Sequence, residues 1–93
     1  MVVEINLEFC TDKDEVLKKI SHVLKFPDYV GANWDGLFNC FTMAIDLSET
    51  KLVFTNYGEF RNTEPEAFNA LLSVLEYTKK NYFGRNFDYE FQR

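Results

Sequence analysis

Three β-rich runs in this chain are separated by helical stripes, and that order restricts the fold more than any other feature. In the first run Val3, Ile5, Leu7 and Phe9 alternate with Glu4, Asn6 and Glu8. A period of two reads as a strand with one covered face. "KLVFTNY", Lys51 to Tyr57, is the second run, and "FDYEF" is the third, with Phe87, Tyr89 and Phe91 on one side. Between the first two, Thr11 opens a helix, with Asp14 three residues on as an acidic capping box. Val16, Leu17, Ile20, Val23 and Leu24 form its apolar stripe, and Pro27 stands just past its end. Asn33 is a good N-cap for a second helix running to about Ala44. Thr63 caps a third helix, with Pro65 in its first turn, Glu64 and Glu66 at its positive end and a stripe of Phe68, Leu71, Leu72 and Leu75. Gly84 breaks the chain before the last run.

Helical crossovers between strands imply a parallel sheet, with each crossover right-handed. Alternation in the outer runs places helices mainly on one face. Right-handed crossovers on one face move the chain the same way each time. The expected fold is therefore a two-layer α/β domain, a three-stranded parallel sheet of order 1-2-3, with all 93 residues in a single domain. Glu4, Asn6, Glu8, Asp88 and Glu90 should occupy its open face.

Fifteen acidic and ten basic residues leave a formal net charge of −5. Binding to nucleic-acid phosphate needs clustered Lys and Arg, so it is disfavoured, and a basic partner is favoured. Solubility alone is the plain alternative reading of the acidity. Aromatics make up 17% of the chain, more than so small a domain easily buries, so some should meet a partner. No apolar run approaches the roughly 18 residues of a membrane span, and no signal peptide is visible, so a cytoplasmic location is expected. Cys10 and Cys40 are then reduced thiols, without CxxC spacing for a metal. The only histidine, His22, lies beside the apolar stripe of the first helix, where a partly buried structural role is expected. No phosphate-binding loop and no paired carboxylates are present, so neither catalysis nor a cofactor is expected.

The second helix is unusual. At 100° per residue, Trp34, Leu37, Phe38, Phe41 and Ile45 fall toward the core, while Asp35, Asn39, Thr42 and Asp46 fall opposite, flanked by Gly36 and Met43. Short side chains and a glycine, which costs about 1 kcal/mol in a helix interior, would let another surface approach closely. An ordinary exposed face with a tolerated glycine is the alternative. Before it, Tyr29 offers an amphipathic ring and Gly31 room for a partner. A core edge and a plain turn are the alternatives for these two.

The segment "FPDYVGANWDGLFNCFTMAID", Phe26 to Asp46, resembles the barstar family, intracellular inhibitors of barnase-type ribonucleases. The resemblance rests on Phe26, Pro27, Asp28, Tyr29, Gly31, Asn33, Trp34 and Asp35, with Leu37, Cys40 and Thr42 also fitting. It covers about a quarter of the chain, and the element order agrees with the family's two-layer fold across the rest. The resemblance implies inhibition by plugging: carboxylates stand in for RNA phosphate in a cationic active site. It assigns contact positions to Tyr29, Gly31, Asn33, Asp35, Phe38, Thr42 and Asp46, and a late contact to Glu76 or its neighbour Tyr77. The helix wheel adds Gly36, Asn39 and Met43. Where the family carries its strongest contact acid, an extreme example of an interface hot spot, this chain has Asn39. Two family tryptophans are replaced by Phe38 and Ala44. The expected partner is a basic ribonuclease or another toxin nuclease; a regulatory binding module with a different partner is the alternative.

Overall fold

The computed structural model describes residues 1–25, 34, 49–81 and 86–92. Its elements are β1 (Val2–Asn6), α1 (Lys13–Leu24), β2 (Thr50–Thr55), α2 (Gly58–Thr63), α3 (Pro65–Asn81) and β3 (Phe87–Gln92). The three strands form one parallel sheet in the order β1-β2-β3. Both the order and the parallel pairing agree with the expectation from the crossovers.

Register puts Ile5, Phe54 and Phe91 level across the sheet, all on the covered face. Ile5, Leu52, Phe54 and Phe87 pack there with Val16, Leu17 and Ile20 of α1 and Leu71 and Leu75 of α3. Period two from the strands and period 3.6 from the helices thus meet in one core. Aromatics fill the end of this core nearest α2. Phe91 stacks on Phe54 with ring centroids 4.9 Å apart and lies 5.2 Å from both Tyr57 and Phe68. Much of the high aromatic content is therefore structural, although Phe9 and Tyr77 are exposed.

The open face carries Glu4, Asp88 and Glu90 around a central Val53, which lies in register between Glu4 and Glu90 and is only 8% exposed. Lys51 pairs with Glu90, and the Thr55 hydroxyl donates to Glu4. These pairs hold Glu90 below the usual carboxylate range and raise Lys51, in each case mainly through their mutual hydrogen bond. Glu8 is exposed but lies beyond the strand, where its backbone N–H donates to Asn6 Oδ1.

Four local expectations need correction. The helix N-cap is Asp12 rather than Thr11: the Asp12 carboxylate accepts the N–H of Glu15 at 2.8 Å, and Thr11 instead donates to the Glu15 carboxylate at 3.3 Å. Phe9 does not extend the first alternating face. The Cys10 N–H bonds back to the Leu7 carbonyl, and this tight turn puts Phe9 at φ 67°, with the residue 78% exposed. The second run ends at Thr55, because Asn56 takes the left-handed conformation at φ 54° and Gly58 starts α2. Thr63 closes α2 rather than capping α3; the Glu64 carbonyl takes the first α3 bond, from Phe68 N–H, and Pro65 is the first helical residue. Lys25 ends α1 in the left-handed conformation at φ 59°. The expected helix from Asn33 to Ala44 and the break at Gly84 lie outside the described residues, Trp34 excepted.

The cap assignment carries a direct prediction. Asp12→Ala should cost about 1 kcal/mol of stability, and Thr11→Ala only a few tenths, in urea unfolding. The reverse ranking would return the cap to Thr11.

Candidate functional site

Tyr29, Gly31, Asn33, Asp35, Gly36, Phe38, Asn39, Thr42, Met43 and Asp46 lie outside the described residues. Trp34, within that segment, and Glu76, on α3, are described. Trp34 is helical, half-buried and packed against the core. This is the side on which the helix wheel places it. Glu76, the late candidate, lies on α3 one step past the fully buried Leu75.

The sequence of α3 fixes how Glu76 sits. Phe68, Leu71 and Leu75 recur at helical spacing and are buried against the sheet. Thr78, also buried, returns its hydroxyl to the Val74 carbonyl at 2.7 Å, so it adds no unsatisfied polar group. Glu76 flanks this stripe and is half-buried, whereas Tyr77 is 57% exposed. The Tyr89 hydroxyl of β3 donates to Glu76 Oε2 at 2.6 Å. Burial, reinforced by the bond to Glu76, pushes the Tyr89 phenol up to about 12, so it remains a donor at neutral pH. One turn further, Lys79 pairs with Asp88 at 3.0 Å. Asp88 is held low mainly by the Tyr89 backbone N–H, then by Lys79.

Tyr89 was legible in the sequence only as a member of the alternating face. A hydroxyl-bearing ring on the covered side of a strand needs a partner, and that requirement was the available signal.

His22 is exposed in the last turn of α1, which corrects its expected partial burial. Cys10 is buried, and burial raises its thiol further from the reactive thiolate form. Among the described residues, no three His, Cys, Asp or Glu side chains lie close enough to hold a metal ion. Nor is any described helix long and apolar enough to cross a membrane. Open depressions lie at both ends of the strands: about 410 Å³ beside Glu8, Asn56 and Arg61, and about 390 Å³ beside Lys51, Lys79 and Asp88. Arg61 is committed to the Tyr57 ring, 5.4 Å from its centroid, and Lys79 to Asp88.

The family model described as barstar, the barnase inhibitor, matches residues 1–91. The chain belongs to the barstar family. The match spans the motif from Phe26 to Asp46, β1, β2 and all of β3 except its last residue, Gln92. Members of the barstar family are inhibitors rather than enzymes. No curated protein matches the chain.

Proposed function

We propose that this chain is an intracellular inhibitor that binds a basic ribonuclease or related toxin nuclease and blocks its active site. The observation that carries the reading is the family match over residues 1–91, on a chain with a net charge of −5. The loop before the expected second helix, with Tyr29, Gly31 and Asn33, forms one side of the binding surface. Asp35, Gly36, Phe38, Asn39, Thr42, Met43 and Asp46 form its centre, and Glu76 its far edge. Trp34 supports this reading, because it is helical and packed against the core, the side to which the helix wheel assigns it. The carboxylates occupy positions that RNA phosphates would take among Arg, Lys and His of the nuclease. Catalysis belongs to the partner, so His22→Gln should leave function unchanged. No cofactor takes part.

Titrating a barnase-type ribonuclease with this chain, and following RNA cleavage at several salt concentrations, tests the proposal. Stoichiometric loss of cleavage that weakens as salt rises is the expected result. Association without loss of cleavage would favour the regulatory module, for which Asn39 is the specific support: an amide cannot replace a phosphate charge.

The same residue provides a gain-of-function test. Asn39→Asp should strengthen binding to a barnase-type enzyme by about 1.5–3 kcal/mol, through new charge-assisted hydrogen bonds, and steepen the salt dependence. If the natural partner instead presents a carbonyl or an acid to the amide, the same change will weaken that complex. If neither affinity moves, Asn39 lies outside the interface and the binding face is not on the second helix.

A further inference from the structure

The geometry points to Tyr89 as a positioning residue for Glu76: its hydroxyl holds the carboxylate of the late contact in one orientation, ready for a cationic side chain of the nuclease. The inference rests on the proposed inhibitory role. It adds to it a residue from β3, an element to which neither the motif nor the helix wheel assigns a contact.

A solvated glutamate side chain is conformationally free. Its three side-chain torsions carry substantial rotamer entropy, which an unrestrained interface acid loses on binding. Glu76 has already lost much of this freedom, because Tyr89 donates to Oε2 at 2.6 Å. The donor is itself fixed. Its ring packs on the covered face of β3, 6.1 Å from the Phe91 ring in an edge arrangement. Phe91 is in turn stacked on Phe54 in the central strand. The helix bearing Glu76 is also tied to the same strand one turn later, where Lys79 meets Asp88 at 3.0 Å. Residues three apart on a helix share a face, so adjacent β3 residues grip two neighbouring points of α3.

One hydroxyl proton satisfies only one of the several lone pairs of a carboxylate, so the bond to Tyr89 is compatible with further charge-assisted bonds from a guanidinium or ammonium. Because the phenol titrates far above neutrality, the donor is present at neutral pH. The anion is thus oriented without being neutralised, as a contact to a cationic pocket requires. A tyrosinate in the same place would repel the carboxylate.

A double-mutant cycle tests the inference, with a barnase-type ribonuclease as the probe and Glu76→Gln, Tyr89→Phe and the double variant compared with the unaltered chain. Glu76→Gln should weaken binding roughly tenfold and reduce its salt dependence. Tyr89→Phe keeps the ring and should weaken binding roughly threefold to tenfold, the range of one hydrogen bond. In the Glu76→Gln background Tyr89→Phe should change little, because there is no longer a carboxylate to orient. If the two losses simply add, Tyr89 has only a general structural role and the inference fails while the inhibitor reading stands. If Glu76→Gln leaves affinity intact while Asp35→Ala lowers it, Glu76 is not a contact and the inference fails alone. If no form associates with the nuclease, the inhibitor reading fails and takes the inference with it.

Titration of the free protein provides a check that needs no partner. The phenol signal removed by Tyr89→Phe should lie near 12, and Glu76→Gln should lower it while burial keeps it above the ordinary value of about 10. If Glu76→Gln leaves that titration in place, the bond is not formed in solution and the inference is overturned whatever binds.

Discussion

Truncating Phe54 to alanine is expected to cost about 3–5 kcal/mol, the largest effect of any single substitution on the stability of this chain. Phe54 is fully buried in the central strand. Its neighbours in register are Ile5 on one side and Phe91 on the other, and its ring stacks on Phe91 at an interplanar angle of 18°. Removing the ring deletes its burial and the stacking contact, and it leaves a cavity between two layers held by strand pairing on one side and helices on the other. Phe91 also meets Tyr57 and Phe68, so the loss spreads through the aromatic cluster instead of relaxing locally. Domains of this size are commonly stable by about 5–15 kcal/mol, so the variant should be near the edge of folding at room temperature. Urea unfolding should show a much lower midpoint with the slope nearly unchanged. Phe54→Leu keeps most of the apolar contact and should lose less. A cost below about 1 kcal/mol for the alanine variant would mean that the sheet does not pack through this residue.

The sheet was legible because its physical signal is redundant. Alternation at Val3, Ile5 and Leu7 and again at Phe87, Tyr89 and Phe91 marks strands with one covered face, and the stripes of α1 and α3 can only cover that face. The errors came where one residue or one turn decides. Thr11 and Asp12 can both cap a helix; the choice depends on which side chain reaches the Glu15 N–H, a matter of geometry alone. Phe9 continues a period of two in sequence, but the turn closed by Leu7 and Cys10 overrides it. The six residues of α2 contain one buried apolar side chain, Phe60, too few to show a helical period. Tyr89 was visible as an inward ring, whereas its partner Glu76 stands 13 residues away on another element.

The candidate site was legible in a different way. Short polar side chains on one side of a helix suggest close approach, and they do not say of what. Only the family motif gives Asp35, Thr42 and Asp46 an expected role as contacts with a cationic pocket. Asn39 limits that transfer, because the residue that differs is the one that contributes most elsewhere in the family.

For binding, the largest loss is expected from Asp35→Ala. On the helix wheel read from the sequence, Asp35 falls opposite the core-facing side to which Trp34 is assigned, and Trp34 is helical and packed against the core. With an amide at position 39, Asp35 and Asp46 are the remaining acids of the central strip, so each must carry more of the match to a cationic pocket. Removing one partner of a desolvated charge pair typically costs 2–5 kcal/mol or more, largely because the cation opposite is left buried and unpaired. That corresponds to roughly 30-fold to several-thousand-fold weaker binding, expressed mainly in faster dissociation. Stability should fall by no more than about 0.5–1 kcal/mol, since an acid near a helix N-terminus interacts only modestly with the dipole. Measuring dissociation of the ribonuclease complex beside urea unfolding of the free chain separates the two effects. Lost stability with unchanged affinity would make Asp35 a structural residue and would move the binding surface off the second helix.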